Sequence, residues 1–555
     1  MNSTQYQAIY DEYGIDYAVD VSQYNNLLDV YNQLFIKHAS ATALTCMGYS
    51  LSYKELDEKS NDFAAYLQNE TNLVAGDRVA VMLPNILQQP VSVLGILKAG
   101  MVLVNTNPLY TPRELEHQLN DSGAKALVML ANMGDVVEEV LPHTQNIEHV
   151  LMTQVGDFHP TVKRLLINTV VKYVKKGVPK FNLPQAISLN SAIALGSQKQ
   201  VTQSSPTRDD VAVLQYTGGT TGLSKGAMLT HGNLIANCLQ LDGFLAKFDL
   251  KQRQEVVIQP LPLYHIYAFT MTLVMLRYGS QNVLIPNPRD LPGLVTTISK
   301  YPASIFCGLN TLFVALFNDE KFKALPLSEL RMTVSGGMAL TQDTAKQWKR
   351  VTGVTITEGY GLTEASPVVT FNPAEAQRIG SIGFPLPLTD LKLLDDNGNE
   401  VEQGSEGELA VKGPQVMKGY WNNEEATAKT IVDDWLLTGD IATIGDDGFV
   451  KIVDRKKDMI IVSGFNVYPN EVEDELSKHP EVVECAVIGI PDDIKGENIK
   501  AFVVKTPNST LTDSQLIEFA RENLTAYKVP KLVEFRSDLP KSNVGKILRR
   551  ELRDE

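Results

Sequence analysis

The sequence predicts an α/β fold with a large, multi-layered N-terminal domain, whose sheets are flanked by helices, and a small C-terminal α+β domain. At 555 residues the chain is several times the usual single-domain size, so it can bury a large core and still form a second unit. Short apolar runs alternate with longer helix-like stretches, which is typical of parallel sheets covered by helices. No sequence period is repeated, which disfavours solenoids and propellers.

The strand predictions rest on short apolar runs and the helix predictions on longer amphipathic stretches. The predicted strands are Val79–Leu83, Ala126–Leu130, Val211–Tyr216 and Ser304–Cys307, and the predicted helices include Tyr53–Leu67 and Arg113–Asn120. Residues 256–276 carry no Lys, Arg, Asp or Glu, but polar residues and prolines interrupt the first half. This run is too short to span a bilayer, so we predict a buried core helix there.

A domain boundary is predicted where a strand is followed by a run of charged residues. Phe449–Val453 reads as a strand after the Asp447-Gly448 turn, and the charged run 454–458 follows directly. We therefore assign residues 1–454 to the large domain and 455–555 to the small one. The predicted elements of the small domain are a helix over Pro469–Lys478, strands Val482–Ile490 and Lys500–Lys505, and a helix over Thr512–Asn523.

The composition excludes several classes of protein. A net charge of −15 disfavours binding to nucleic acid, because that affinity depends on basic residues that neutralise phosphates. The four cysteines are far apart and form no CxxC pair, which fits a reduced cytoplasmic protein better than a disulfide framework or a zinc site. The first twenty residues lack the basic start and apolar stretch of a secretory signal or membrane anchor. We expect a cytoplasmic protein.

The most informative segment is the Gly/Thr-rich stretch 216–226, directly after an apolar run. Glycines let backbone N–H groups approach an oxyanion, hydroxyls add donors, and Lys225 supplies positive charge, so the stretch is suited to cradling nucleotide phosphates. A Walker loop would place Gly before the lysine and Ser or Thr after it, whereas Ser224 and Gly226 flank Lys225. An ordinary P-loop NTPase is therefore disfavoured; the alternative is a flexible surface loop.

This stretch resembles the phosphate loop of the adenylate-forming superfamily, which includes acyl-CoA synthetases, luciferases and peptide-synthetase adenylation domains. Further motifs of that superfamily occur in the expected order: Pro262-Leu263-Tyr264-His265, Ser335-Gly336-Gly337-Met338, Tyr360-Gly361-Leu362-Thr363-Glu364, Thr438-Gly439-Asp440, Asp454-Arg455-Lys456-Lys457 and Pro540-Lys541-Ser542-Asn543-Val544-Gly545-Lys546. Together they cover most of the chain. The resemblance implies ATP-dependent activation of a carboxylate and a mobile C-terminal domain.

The resemblance also implies roles for individual residues. Lys546, Glu364 and His265 are the implied catalytic residues, and Glu364 with Thr217 would bind Mg²⁺. The implied ATP-binding residues are Thr217, Gly218, Gly219, Thr220, Thr221, Gly222, Lys225, Gly337, Glu358, Gly359, Tyr360, Gly361, Thr363, Asp440 and Arg455. Lys457 would be the hinge of a domain rotation, after which Gly464 and Phe465 would line the coenzyme A path.

Without the motifs, these residues have simpler explanations. Lys546 lies in a segment rich in arginine and would be read as a solvated surface charge. Glu364 alone would be read as a surface acid. His265, in an apolar stretch, is equally well explained as a satisfied core residue or as a group close to the chemistry.

Segments 434–440 and 449–457 resemble the signature of fatty acyl-CoA synthetases, and segments 107–115 and 463–471 resemble bacterial long-chain members. The implied substrates are a long-chain fatty acid, ATP and coenzyme A, with Mg²⁺ as cofactor. The alternatives are a medium-chain or aryl acid–CoA ligase and a fatty acyl-AMP ligase. A nucleotide-binding regulator is disfavoured because Glu364, Asp440 and Lys546 are all present, and nothing in the sequence demands the oxygen chemistry of a luciferase.

Residues 161–180 contain six Lys or Arg and no acidic residue, in an otherwise acidic chain. Their apolar residues fall at helical spacing on one face. The pattern predicts either a helix on an anionic membrane surface, which would place the protein peripherally on the cytoplasmic face of the inner membrane, or an amphipathic helix packed on the protein's own core. We also expect a homodimer, although no sequence pattern identifies its interface.

Overall fold

The structure is a computed structural model that describes residues 3–217, 224–251, 255–492, 496–542 and 545–553. Within these ranges the chain forms four β-sheets with helices packed around them. Three sheets lie in a large N-terminal part, and the fourth forms a small C-terminal part with its own helices. The predicted α/β fold class, with a large sheet-containing body and a small α+β unit, is confirmed.

The strands of the described residues are β1 (Thr42–Cys46), β2 (Tyr49–Ser52), β3 (Arg78–Met82), β4 (Val102–Asn105), β5 (Ala126–Leu130), β6 (His149–Thr153), β7 (Ile187–Ser188), β8 (Val211–Thr217), β9 (Lys225–Thr230), β10 (Val256–Gln259), β11 (Gln281–Leu284), β12 (Ile305–Gly308), β13 (Met332–Ser335), β14 (Ile356–Gly361), β15 (Val368–Phe371), β16 (Phe384–Pro385), β17 (Asp390–Leu394), β18 (Gly407–Lys412), β19 (Ile431–Val432), β20 (Trp435–Ile444), β21 (Val450–Arg455), β22 (Ile460–Val462), β23 (Phe465–Val467), β24 (Val482–Asp492), β25 (Gly496–Lys505) and β26 (Leu532–Arg536).

The α-helices of the described residues are α1 (Ser3–Glu12), α2 (Leu27–Lys37), α3 (Tyr53–Asn69), α4 (Gln88–Lys98), α5 (Pro112–Ser122), α6 (Gly134–Val140), α7 (Thr161–Thr169), α8 (Leu189–Gly196), α9 (His231–Gln240), α10 (Asp242–Leu245), α11 (Ile266–Arg277), α12 (Leu291–Ile298), α13 (Asn310–Phe317), α14 (Glu320–Lys323), α15 (Gln342–Thr352), α16 (Glu424–Thr430), α17 (Pro469–Leu476), α18 (Asp513–Asn523) and α19 (Arg549–Arg553).

Two large sheets dominate the N-terminal part. One has the order β7-β6-β5-β3-β4-β8-β9 and is parallel except for β9, which pairs antiparallel with β8. The other has the order β16-β15-β14-β13-β12-β10-β11-β1-β2 and is parallel from β14 to β1. In such sheets ligands bind beyond the carboxyl ends of parallel strands, and β8, β13 and β14 end beside the predicted site motifs.

The third sheet has the order β17-β18-β20-β19, and β21 pairs with β20. The C-terminal sheet has the order β23-β22-β25-β24, and β26 pairs with β25. The largest cluster of buried apolar side chains contains residues of both large sheets, such as Val79 and Val257, whereas the C-terminal sheet packs its own cluster around Val487 and Val503. A core that is separate from the large one is what an independent C-terminal unit requires.

Most predicted elements are confirmed to within a few residues. The prediction for residues 256–276 is partly wrong, because Val256–Gln259 is the buried strand β10 and only Ile266–Arg277 is helical. A short apolar run fits either structure, and the prolines that follow it end the strand. The boundary between residues 454 and 455 stays a prediction. Within the described ranges, none of the helices combines the length and hydrophobicity that crossing a bilayer requires.

Candidate active site

A deep cleft lies between the N-terminal and C-terminal parts, at the carboxyl ends of β8, β13 and β14. The described site residues that line it are Thr217, Lys225, His265, Gly337, Glu358, Gly359, Tyr360, Gly361, Thr363, Glu364, Asp440, Arg455, Lys457 and Lys546. The predicted phosphate-loop residues Gly218, Gly219, Thr220, Thr221 and Gly222 lie outside the described residues. Residues far apart in the sequence thus meet around one space.

Asp440 on β20 is held from both sides. The Tyr360 hydroxyl donates a hydrogen bond to Asp440 Oδ2 at 2.6 Å, and Arg455 Nε lies 3.2 Å from Asp440 Oδ1. Arg455 is the cross-strand partner of Asp440 on β21, so sheet register places this pair. The Asp440 side chain is 7% exposed, and each of its oxygens can accept a further hydrogen bond. The arrangement is suited to accepting bonds from a pair of hydroxyls.

Glu358 and the glycines beside it form the wall at the end of β14. Gly380 N–H donates to Glu358 Oε1 at 2.9 Å, and burial raises the pKa of Glu358 to about 8, so its carboxyl is mostly uncharged at neutral pH. A Cβ at Gly361 would lie 2.1 Å from the carbonyl oxygen of Pro367, so a larger residue cannot fit there. The close pairing of β14 with β15 therefore requires glycine at position 361.

The two ends of the phosphate loop are fixed by strand pairing. Thr217, the last residue of β8, pairs with Lys225, the first residue of β9. Lys225 Nζ lies 4.9 Å from the centre of the Tyr420 ring, and His117 Nε2 is hydrogen bonded to the carbonyl oxygen of Ser224 at 2.8 Å. The lysine therefore points into the cleft from a rigid base.

Glu364 lies on the short helical turn Thr363–Ala365, and its Oε1 accepts a hydrogen bond from the Tyr420 hydroxyl at 2.6 Å. Among the described residues, no cluster of three or more His, Cys, Asp or Glu could hold a metal ion alone. Mg²⁺ is commonly held by one or two carboxylates together with substrate phosphates and water. Glu364 supplies one carboxylate to the same cleft that Thr217 lines, which fits that mode of binding.

Lys546 enters the cleft from the C-terminal part. The preceding residue, Gly545, has φ +87°, and its carbonyl oxygen accepts a hydrogen bond from Thr311 at 3.4 Å. A Cβ at Gly337 would lie 3.3 Å from Lys546 Cε, so the glycine leaves room for the lysine chain. Burial, together with the nearby Arg455 charge, lowers the pKa of Lys546 to about 8. Within the described part of the chain, no acidic side chain forms an ion pair with Lys546.

His265 caps helix α11, since its Nδ1 accepts a hydrogen bond from Tyr267 N–H at 3.4 Å. Burial, with a smaller contribution from the Lys546 charge, lowers the pKa of His265 to about 3. The imidazole is therefore neutral at physiological pH. A capping role explains a histidine at this position, and a direct role in the chemistry stays a prediction.

The hinge and coenzyme A predictions concern the segment after β21. Lys457 lies in the helical turn Lys456–Asp458 and lines the cleft. Gly464 and Phe465 do not belong to the described lining of the cleft; Phe465 is 56% exposed and stacks on Tyr527 with ring centres 4.8 Å apart. The structure thus brings Lys546 to the site and leaves Gly464 and Phe465 away from it.

Tyr420 and His117 are among the residues of the cleft that sequence reasoning missed. Tyr420 is 56 positions from Glu364 and His117 is 107 positions from Ser224, so neither contact follows from local spacing. Tyr420 belongs to the stretch Met417-Lys418-Gly419-Tyr420-Trp421, whose backbone pairs with β9. A long-range strand pairing of this kind carries no signal in a single sequence.

The AMP-binding enzyme family matches residues 35–421, and the AMP-binding enzyme C-terminal domain matches residues 471–546. The chain belongs to the AMP-binding enzyme family. The two matches fall on the two structural parts that enclose the cleft, and they include Thr217, Glu364 and Lys546.

Curated relatives of this AMP-binding enzyme match along nearly the whole chain. The long-chain-fatty-acid–CoA ligase of Escherichia coli O157:H7 is 52% identical over 97% of this chain and 96% of its own length. The enzyme of that name from Haemophilus influenzae is 48% identical over 98% and 97%. Among solved structures, ATP-bound MatB from Rhodopseudomonas palustris aligns with TM-score 0.81 and 30% identity, covering 95% of this chain and 98% of its own. An anthranilate CoA ligase with anthranoyl-AMP aligns with TM-score 0.85 and 27% identity, covering 96% and 98%.

Proposed function

We propose that this AMP-binding enzyme is a long-chain fatty acid–CoA ligase that forms AMP. The observation that carries the proposal is the cleft itself, in which Lys546 from the C-terminal part meets Glu364 and Asp440 from the N-terminal part. The names of relatives 48–52% identical over nearly the full length support a long-chain fatty acid as the substrate. The enzyme joins the acid to AMP and then transfers the acyl group to coenzyme A.

In the first step a carboxylate oxygen of the fatty acid bonds to the α-phosphorus of ATP, and the bond from that phosphorus to pyrophosphate breaks. Two anions must approach each other, so positive charge at the meeting point lowers the barrier. Lys546 supplies such a charge from a partly buried position, where a cation acts more strongly than in water. Because its pKa is about 8, most of it is protonated at neutral pH.

The remaining residues hold the nucleotide. Asp440 accepts hydrogen bonds from the ribose hydroxyls while Tyr360 and Arg455 fix its carboxylate. Lys225 and Thr217 bind the phosphates at the two ends of the loop, and Gly336 and Gly337, which line the cleft, leave room for the base. An orientation fixed before ATP binds reduces the entropy lost when the reacting atoms are aligned.

Magnesium is proposed as the cofactor, with Glu364 and Thr217 as the protein groups that would hold it beside the phosphates. The ion would neutralise phosphate charge and thereby help the carboxylate approach. Oxygen donors from one carboxylate and one hydroxyl fit this hard cation. Glu364 would offer the ion its second carboxylate oxygen, because Oε1 accepts a hydrogen bond from Tyr420.

In the second step the sulfur of coenzyme A bonds to the acyl carbon, and the carbon–oxygen bond to AMP breaks. The Lys546 segment occupies the cleft in this structure, so the thiol needs another route to the acyl group. We propose that the C-terminal part, residues 455–555, rotates about Lys457 and brings Gly464 and Phe465 into the cleft. The exposed Phe465 is free to make that movement, because its recorded ring partner, Tyr527, belongs to the same C-terminal part.

The experiment that tests the function is fatty-acid-dependent exchange of labelled pyrophosphate into ATP, without coenzyme A, over acids from short to long chain and with an aryl acid. Exchange that rises to a maximum with long acids, followed by thioester formation when coenzyme A is added, supports the proposal. Maximal exchange with medium-chain or aryl acids would indicate the sister ligases, and exchange without a thioester would indicate a fatty acyl-AMP ligase.

Reversible contact with an anionic membrane is a second proposal, and the helix at residues 161–174 supports it. Within α7 only Ile167 is buried, and the following turn Val170–Val174 buries none of its residues. The exposed apolar side chains are Val162 (83%), Leu165 (60%), Leu166 (63%), Tyr173 (68%) and Val174 (72%). An apolar face of this size beside six basic residues suits the surface of a membrane in which long-chain acids dissolve. The contact would place this cytoplasmic enzyme peripherally on the inner membrane.

A homodimer stays a prediction, and the enzyme is not expected to bind nucleic acid.

A further inference from the structure

Tyr420 occupies a position between the two groups that would meet the phosphates. Its hydroxyl donates to Glu364 Oε1 at 2.6 Å, and its ring lies 4.9 Å below Lys225 Nζ. The side chain is 7% exposed, so neither contact is diluted by water. One buried aromatic ring therefore contacts both the proposed metal ligand and the lysine of the phosphate loop.

Backbone pairing fixes Tyr420 in this position. Ala227, the third residue of β9, forms a β-bridge with Tyr420, and the next residue, Trp421, donates its N–H to the carbonyl oxygen of Gly226 at 2.8 Å. On the other side, Met417 N–H donates to the carbonyl oxygen of Glu364 at 2.7 Å. The stretch 417–421 thus joins the backbone of Glu364 to the strand that begins with Lys225.

The Tyr420 side chain adds orientation to this backbone connection. Without the Tyr420 hydroxyl, the Glu364 carboxylate could rotate freely, because Oε1 would lose its hydrogen-bond donor. With it, Oε1 accepts a hydrogen bond and Oε2 stays available to a cation. A carboxylate fixed in this way presents a single oxygen to a cation, which suits the strict octahedral geometry of Mg²⁺.

We propose that Tyr420 is a positioning residue that holds Glu364 for the magnesium ion and Lys225 for the phosphates of ATP. The inference rests on the proposed function, because it assumes that MgATP binds in this cleft. It assigns separate tasks to the two halves of the side chain: the hydroxyl acts through Glu364 and the ring through Lys225.

Two substitutions separate these tasks. Tyr420→Phe removes the hydroxyl and keeps the ring, whereas Tyr420→Leu removes both. Tyr53→Phe is the matched control, because its buried hydroxyl donates to the carbonyl oxygens of Leu276 and Ser280, neither of which lines the cleft. The measurement is ATP binding by calorimetry, once with excess Mg²⁺ and once with a chelator, on variants whose thermal unfolding matches that of the control.

We expect Tyr420→Phe to weaken binding of MgATP by about tenfold, the usual effect of losing a hydrogen bond to a charged group, and to leave binding of ATP alone unchanged. Tyr420→Leu should weaken binding in both conditions. In pyrophosphate exchange, Tyr420→Phe should raise the Mg²⁺ concentration needed for half-maximal rate, whereas Tyr53→Phe should not.

Equal binding of MgATP by Tyr420→Phe and the unaltered enzyme would overturn the inference, as would an equal loss with and without Mg²⁺. If Tyr420→Leu does not fold, Tyr420→Phe alone decides, since it preserves the shape of the ring. Failure of the proposed function is distinguishable from either result, because the unaltered enzyme would then show no acid-dependent exchange with any fatty acid.

Discussion

Lys546 shows how burial can adapt an ordinary side chain to a chemical task. The pKa of a free lysine lies far above physiological pH. The pKa of Lys546 is about 8, because its amino group is largely desolvated and close to Arg455. Desolvation therefore disfavours the charged, protonated form of Lys546 as long as no anion is bound in the cleft. Binding of phosphate and carboxylate groups restores a favourable environment for the charge.

The pH dependence of adenylation should report this titration. In the proposed mechanism the protonated lysine is the active form, so kcat/KM for ATP in the pyrophosphate exchange reaction should fall as the pH rises through about 8. Lys546→Arg keeps its charge at every accessible pH, so its residual activity should lack this decline. Lys546→Ala should lose at least a hundredfold in kcat/KM, as expected when a positioned transition-state charge is removed. An unchanged decline in the Lys546→Arg variant would assign it to another group.

Glu358 makes a prediction about stability. The pKa of Glu358 is about 8 in the folded protein, above the ordinary value of 4.5 for a glutamate, so the folded state binds more protons than the unfolded state between these pH values. The free energy of unfolding therefore falls as the pH rises through this window. Glu358→Gln keeps the shape and removes the titration. We compare the melting temperature of Glu358→Gln with that of the unaltered protein at each pH. The difference should favour the variant more at pH 8 than at pH 5.

Thermal melts of both proteins across that pH range give the measurement. Glu425→Gln is a suitable control, since Glu425 is exposed on α16 and its pKa is lowered by Lys429 rather than raised. An identical shift in melting temperature at pH 5 and pH 8 for Glu358→Gln would contradict a raised pKa at this position.

At the scale of single elements, the exposure of the helix at residues 161–174 separates two explanations: a helix on a membrane surface and a helix packed on the protein's own core. Packing on the protein's own core would bury its apolar face, yet five apolar side chains there are at least 60% exposed. Lys163 turns back and donates to the carbonyl oxygen of Met47 at 2.5 Å, which fixes the helix against the β1–β2 turn. Lys172 Nζ lies 5.4 Å from the centre of the Tyr173 ring, and Lys175 and Lys176 are exposed, so all three charges can meet anionic headgroups.

Neutralising three of these charges should therefore release the protein from lipid. Each basic residue near an anionic surface contributes about 1 kcal/mol, so the triple variant Lys172→Gln, Lys175→Gln, Lys176→Gln should bind vesicles containing phosphatidylglycerol roughly a hundredfold less tightly. Sedimentation with vesicles measures the bound fraction. Replacing the exposed Lys300, Lys346 and Lys349 by Gln is the control, since it makes the same change in net charge elsewhere.

The control variant should keep its binding, and the test variant should lose it only for anionic vesicles. Leu165→Ser should weaken binding further. Unchanged sedimentation of the test variant would leave only a structural role for this helix.

Elements with a strong local pattern were predictable from the sequence, and contacts between distant elements were not. The strands at 79–83 and 126–130 follow from apolar runs, whereas 256–276 changes from strand to helix within one apolar stretch because Pro260 and Pro262 intervene. The motifs named residues that line the cleft, among them Glu364, Asp440 and Lys546. Tyr420 and His117 escaped prediction because their contacts depend on the pairing of β9 with residue 420 and on the packing of α5 beside the loop.

At the scale of the whole molecule, polar contacts near Lys457, the proposed hinge, join the C-terminal part to the N-terminal part. Asn470 N–H donates to Asp454 Oδ2 at 2.7 Å, and Arg549 Nη1 lies 3.5 Å from Asp454 Oδ1. The Tyr468 hydroxyl donates a hydrogen bond to Oε2 of Glu406, in the N-terminal part, at 2.6 Å. Contacts of this kind can be exchanged for others at low cost, unlike a large apolar interface.

Fixing the hinge should therefore separate the two half-reactions. Lys457→Pro locks φ near −65° and removes a backbone rotation that a domain movement about this residue requires. Because Lys546 already lies in the cleft, adenylation should proceed within about threefold of the unaltered rate, whereas thioester formation from preformed acyl-AMP should fall at least tenfold. Lys457→Ala, which removes the charge and leaves the rotation free, is the control and should affect both steps little. Pyrophosphate exchange measures the first step and single-turnover thioester formation the second; an equal loss in both would show that the segment does not act as a hinge.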